Sequence, residues 1–303
     1  MEREKKKSSM NKKKRNENIC GWLFTSPLLL GIALFLIFPL FFAIFISFTD
    51  YSMYKDYSFF DFKFNMIGFD NYVKAFHNTD FMRSLVNACI NAIGVPVGIL
   101  LAIFFTNLLI KNPKGSLFFR TLFYLPTICG AVVITFIWRW IFTTITRNLF
   151  NSGVTNVNLL TDKYFMMSMI VMGVWSGIGT SVLLLYSSMK GVDRSLYESA
   201  EIDGANGAQQ LIHITIPQIS PVVFYILLTG IAGSFQDFAR FQVMGNNSPS
   251  WYNIMPVWEI YKQVTSGGGN LAYGCALGII LGFIIILISA IQFIVSRLWV
   301  HYE

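Results

Sequence analysis

Long apolar runs separated by short polar stretches dominate the chain. A membrane-spanning helix needs about 20 predominantly apolar residues. Six runs meet that length: 22–48, 84–109, 117–142, 165–188, 221–243 and 271–298. The pattern predicts an all-α integral membrane protein, a polytopic bundle of six helices. Small residues recur at helical spacing in several runs: Gly94 and Gly98, Gly173 and Gly177, and Gly274, Gly278 and Gly282. Such spacing lets backbones approach closely in lipid. Pro96 and Pro126 interrupt apolar helices, which is tolerated where neighbours satisfy the freed carbonyls. The first run follows a basic stretch, as a signal peptide would, but it is too long for an ordinary apolar region and lacks an A-x-A pattern after it. It is expected to stay as an anchor.

The longest patterned polar stretch is 189–220. Asp193 to Glu198 reads as a cap followed by a short helix. Asp203-Gly204-Ala205 breaks that helix, because glycine tolerates the positive φ of a tight turn. Asn206 to Ile214 reads as a second short helix, which Pro217 is expected to end before the next span. Two short helices around a sharp turn make a projecting knuckle suited to docking. The stretch holds no nucleophile–base pair and no metal-ligand set.

Composition and charge sharpen this picture. The 303 residues are 54% hydrophobic and 13% charged, with a mean hydropathy of +0.54. A soluble domain carries about 25% charged residues. The net charge of +7 does not mark a nucleic-acid binder, because eight of the 23 Lys and Arg crowd into residues 1–21. That tail is expected to be cytosolic, against anionic lipid. Lys111, Lys114, Arg120, Lys190, Arg194 and Arg297 fall in segments on the same side, whereas Asp outnumbers Lys in 49–81. The Lys/Arg bias therefore places both termini in the cytosol. Trp138 and Trp140 would then lie in the outer aromatic belt. The expected layout is a basic tail at 1–21, a transmembrane domain at 22–298 and a cytosolic C-terminus at 299–303.

Candidate chemistry is sparse. Cys20, Cys89, Cys129 and Cys275 are widely separated, and His77, His213 and His301 are scattered, so neither a disulfide framework nor a metal site is expected. No G-x-x-x-x-G-K-[ST] run occurs, so the chain has no phosphate-cradling loop of its own. Gln236, Asp237 and Arg240 lie within the fifth apolar run. Charges at such depth face a cavity or a partner. Asp237 and Arg240, three residues apart, either pair or line a solute path. Trp175 either packs or stacks on a sugar ring. Asn87 and Asn91 are expected to join helices.

Glu198-Ser199-Ala200, three residues before Gly204, with Ile214-Thr215-Ile216-Pro217 after it, resembles the EAA loop of binding-protein-dependent ATP-binding cassette permeases. Asp203-Gly204-Ala205 within that run is similar to the carbohydrate-importer branch. Ile67 to Tyr72, Leu85-Val86-Asn87 and Arg120 to Pro126 resemble further stretches of such permeases. Ser199 stands where Ala is usual, and Ile216 where Leu is. The resemblance implies a sugar or oligosaccharide importer in the bacterial plasma membrane. It implies that Glu198, Ala200, Asp203, Gly204, Ala205 and Pro217 belong to an ATPase-coupling loop. It also implies a second permease subunit, a cytosolic ATPase dimer carrying ATP and Mg, and an extracytoplasmic solute-binding protein. Two rival classes are an ATP-independent secondary transporter or channel, for which internal repeats are missing, and a phospholipid alcohol-transferase. The second needs further Asp and an Arg downstream of Asp203-Gly204, and none follows at that spacing.

Overall fold

The computed structural model describes residues 18–52, 64–111, 115–153, 157–161, 164–265 and 269–301. Most of the basic tail and the last two residues lie outside them. Apart from one isolated bridge between Thr49 and Met66, the described residues form helices and their connections.

Five helices are long and apolar enough to span: α1 (Asn18–Ser47), α3 (Thr79–Ile110), α6 (Phe165–Gly191), α8 (Gly207–Gln236) and α11 (Leu271–Ser296). The remaining helices are α2 (Asp70–His77), α4 (Ser116–Ile128), α5 (Ala131–Asn151), α7 (Arg194–Ile202), α9 (Ala239–Met244) and α10 (Pro256–Thr265).

The third apolar run is not one straight helix. It is α4 and α5, bent by 103°. Pro126 removes a backbone donor inside α4, and Cys129 and Gly130 then take extended backbone before α5 begins. The bent pair still carries the chain across. Gly94 and Gly98 of α3 lie beside Ile170 and Val174 of α6, so α3 and α6 run parallel. The chain between them has to return to its starting side, and only α4 and α5 lie on that path. Trp138 is therefore not at the end of a straight span. It packs on Phe142 and edge-on against Trp175, with ring centroids 5.1 and 5.5 Å apart.

The fifth run is corrected at both ends. Pro217 does not end a helix, because α8 runs unbroken from Gly207 to Gln236. A π-helical turn at Leu211–Thr215 precedes Pro217, which then falls at the start of the regular α-helix, where no donor is required. Pro221 orphans the Pro217 carbonyl, and Ser220 Oγ donates to it instead at 2.6 Å. At the other end α8 stops at Gln236, Asp237 is extended, and Arg240 lies on α9.

The glycine stripes are used unevenly. Gly94 meets Ile170, and Gly274 closely meets Val264. A side chain on Gly177, Gly278 or Gly282 would meet open space. The tightest approach is at Gly179, where a Cβ would overlap the Phe123 carbonyl of α4. Asn87 does not join two helices but ties α3 to the connection before α10, donating to the Trp251 and Ile254 carbonyls at 3.2 and 2.9 Å, while Asn91 lines a cavity. Four apolar clusters form the core of the described residues, and two of them are large. One centres on Phe165, Met169, Phe241 and Trp258, the other on Ile99, Leu185, Met189 and Ile219.

Candidate functional site

A cavity of about 660 Å3 lies between α3, the α4–α5 bend, α6 and α8. Along α6 its lining runs from Ile170 to Leu184, about 20 Å at 1.5 Å per residue. It opens to the surface at Gly177, Thr180, Tyr225 and Thr229, all exposed. Asn91, Thr127, Ser176, Thr180, Ser181, Thr229 and Ser234 supply polar groups among apolar walls. Ser176, Ser181, Thr229 and Ser234 each donate to the carbonyl four residues earlier. A hydroxyl that has spent its hydrogen this way keeps lone pairs to accept from a bound molecule.

Asp237 and Arg240 lie among the lining residues. Arg240 Nε donates to Asp237 Oδ1 at 3.2 Å, and Nη2 to Oδ2 at 2.5 Å. The Asp237 side chain is 7% exposed and that of Arg240 25%. The two residues therefore pair with each other and also lie at the cavity wall. Gln236 is exposed and is not among the lining residues. Trp175 is not among them either, and packs edge-on against Trp138. The hydroxyl set was missed in the sequence. Its signal was there, as Ser176 and Thr180, and Tyr225 and Thr229, stand four apart in apolar helices.

The second feature is the knuckle that joins α6 to α8. Asp193 caps α7, its Oδ1 accepting from Ser195 N–H at 2.9 Å. That backbone bond, then one from the Ser195 side chain, holds its carboxyl below the usual range, and slight burial acts the other way. Arg194 and Glu198 form an exposed i,i+4 pair at 3.0 Å. Gly204 has φ of +79°, which closes the turn through Ala205 N–H donating to Ala200 O at 2.9 Å. Asn206 then starts α8 with a reciprocal cap. Its Oδ1 accepts from Ala208 and Gln209 N–H, while Gln209 Oε1 accepts from Asn206 N–H at 2.8 Å. Tyr197 and Thr215 share a hydrogen bond of 2.9 Å that ties α7 to the base of α8.

A cleft of about 330 Å3 sits in this knuckle, lined by Ala200, Asp203, Gly204, Ala205 and four residues of α8, among them His213. The structure thus brings Ala200, Asp203, Gly204 and Ala205 to one surface. Glu198 lies outside the cleft on the exposed side of α7, and Pro217 sits higher on α8. Ile202 and Ile212, 88% and 57% exposed, add apolar surface to the knuckle.

The structure shows a membrane-type helix bundle with a cavity and a projecting knuckle, and comparison with known proteins decides what it belongs to. Residues 94–300 match the family described as the inner membrane component of binding-protein-dependent transport systems. The chain belongs to this family. It is the permease subunit of an ATP-binding cassette importer, a multi-pass membrane protein. The arabinooligosaccharides transport system permease AraP of Bacillus subtilis is 30% identical over 283 residues, covering 89% of this chain and 86% of AraP. The probable ABC transporter permease YesP of the same organism is 29% identical over 305 residues, covering 95% and 94%. A crystal structure of a bacterial transporter that imports the acidic polysaccharide alginate superposes with a TM-score of 0.77 at 21% identity, covering 94% of this chain and 97% of that one. This last likeness speaks for the fold.

Proposed function

We propose that this permease moves a sugar or oligosaccharide through the hydroxyl-lined cavity, driven by an ATPase that docks on the knuckle. The observation that carries the reading is mechanical. Two of the helices that wall the cavity, α6 and α8, are the two that the knuckle joins. A push on 194–206 therefore moves cavity walls as rigid levers. The relatives that carry sugar or sugar-oligomer names supply the substrate class.

In this reading the 189–220 side is cytosolic, with both termini. Ala200, Asp203, Gly204 and Ala205, with Glu198 beside them, form the docking surface, and Pro217 lies at its base. Asp237 and Arg240 sit at the outer end of the path. A second permease chain covers the open side of the cavity at Tyr225 and Thr229, and lipid surrounds the rest. ATP and Mg bind the ATPase dimer, and this chain holds no cofactor. A solute-binding protein delivers the cargo from outside.

The test is reconstitution of the permease pair with its ATPase and binding protein in vesicles. Import of labelled arabinotriose or maltotriose that requires ATP supports the reading. Sugar import that proceeds without ATP contradicts it in favour of a secondary transporter.

A further inference from the structure

On the side that bears the knuckle, two cations converge on one ring. Arg120 Cζ lies 4.3 Å from the centroid of the Tyr186 ring, and Lys190 Nζ lies 5.0 Å from it. Arg120 is one turn into α4, where its Nη2 donates to Ser116 Oγ at 3.2 Å. Lys190 is one turn beyond Tyr186, in the last turn of α6. The two helices are locked side by side by the contact of Gly179 with Phe123. Among the described residues Lys190 is in no ion pair, and Asp193, the acid that follows it, is engaged by Ser195.

Tyr186 adds the decisive observation. It is 8% exposed, and its hydroxyl is buried without a hydrogen-bond partner. A buried phenol left unsatisfied is costly, so a ligand acceptor at this place supplies the partner the hydroxyl lacks. Two cations and one donor on a shared ring are the chemistry that takes a phosphate anion.

The neighbouring surface says which phosphate. Leu117, Phe118 and Phe119 open α4 and are 75%, 67% and 46% exposed. They flank Arg120 with apolar surface at the end of a span. A free phosphate has no use for such a flank, while a lipid lays its acyl chains on it.

We infer that Arg120, Lys190 and Tyr186 bind the phosphate headgroup of an anionic lipid in the leaflet next to the knuckle. Naming that leaflet as the inner one rests on the orientation proposed above. The site itself does not, and it requires no transport activity. A bound lipid there braces α4 against α6, which is the lever leading to 194–206.

Native mass spectrometry of the purified transporter tests this. The probes are dioleoyl phosphatidylglycerol, dioleoyl phosphatidylcholine and inorganic phosphate. The expected result is preferential retention of phosphatidylglycerol that millimolar phosphate does not displace. Each basic group near a lipid surface contributes about 1 kcal/mol, so Arg120→Gln with Lys190→Gln should weaken that preference by about tenfold or more. Lys190→Arg should keep it. Tyr186→Phe preserves the ring and the packing, and should weaken retention several-fold through the lost donor alone. The basic tail is present in every variant and cannot produce these differences. Equal retention of the two lipids, an unaltered preference in the double variant, or displacement by inorganic phosphate overturns the proposal.

Discussion

Single residues explain where the sequence was legible and where it was not. Gly204 was readable because Asp-Gly-Ala between two helical patterns calls for a left-handed residue, and its φ is +79°. Gly179 was not readable, because what it touches is the backbone of α4, some 56 positions away in sequence. Gly173 and Gly177 gave a motif at standard spacing, yet Gly177 faces open space. We predict that Gly179→Leu loses the α4–α6 contact and lowers the thermal midpoint in detergent sharply, since overpacking costs about 1–3 kcal/mol or more. Gly177→Leu should leave the midpoint nearly unchanged. Equal effects of the two would refute the contact.

The Asp237–Arg240 pair makes a second prediction at this scale. Removing one partner of a fully buried pair costs about 3–5 kcal/mol. Arg240 keeps a quarter of its side chain exposed, so Asp237→Ala should cost less, about 2 kcal/mol. Adding Arg240→Gln to Asp237→Ala should cost less than the sum of the two single losses, as measured by a double-mutant cycle on thermal unfolding. Additive losses would mean that the two side chains are not coupled.

Elements show a different limit. Hydropathy located all the spans, but it could not see direction changes inside a run. The third run looks like one helix because both α4 and α5 are apolar. The bend became visible only through the extended backbone at Cys129 and Gly130. Likewise Pro217 looked like a terminator, and the π-helical turn before it absorbs the missing donor. The knuckle was legible as two helices and a turn, since caps and turns are written locally. The cavity was not, since it depends on which faces of four helices meet.

The element α10 carries a pH prediction. Glu259 is fully buried and accepts from Lys262, Gln263 and Asn78 at 3.0, 2.6 and 3.3 Å. Lys262 also donates to Asp80 of α3 at 2.7 Å, so it clamps α10 to the start of that span. Burial works against the ammonium, but hydrogen bonds to Asp80 and Glu259, with their charges, raise its pKa above the ordinary 10.5. A raised folded pKa means that the stabilisation is complete below about 10.5 and is lost as pH rises through the folded value. The thermal midpoint should hold steady up to about pH 10 and then fall, and Lys262→Met should remove part of that fall. A parent and variant with identical profiles would exclude the clamp.

At the scale of the whole molecule, the helix directions sort the connections into two sides. Ala272 N–H donates to Tyr51 O at 3.1 Å on one side, and His301 N–H donates to Ser220 Oγ at 3.0 Å on the other. The knuckle shares its side with His301. In the orientation proposed from the Lys/Arg bias, that side is cytosolic. A cysteine introduced as Lys190→Cys should therefore react with membrane-impermeant maleimide only after the cells are opened. Labelling of intact cells would invert the topology and remove the ATPase from reach of the knuckle.

The central claim is that 194–206 couples an ATPase to the cavity, and Gly204→Asp tests it most directly. A Cβ at Gly204 meets nothing within 4 Å in this chain, so the internal cost is the left-handed backbone alone, about 1–2 kcal/mol for a non-glycine residue. The fold should survive that. The added bulk and charge fall on the docking surface instead. Sugar uptake and ATPase co-purification are measured together at matched expression. The account predicts a protein that is inserted and abundant, with uptake abolished and the ATPase either lost or hydrolysing ATP without transport. Normal uptake with the ATPase retained would contradict it.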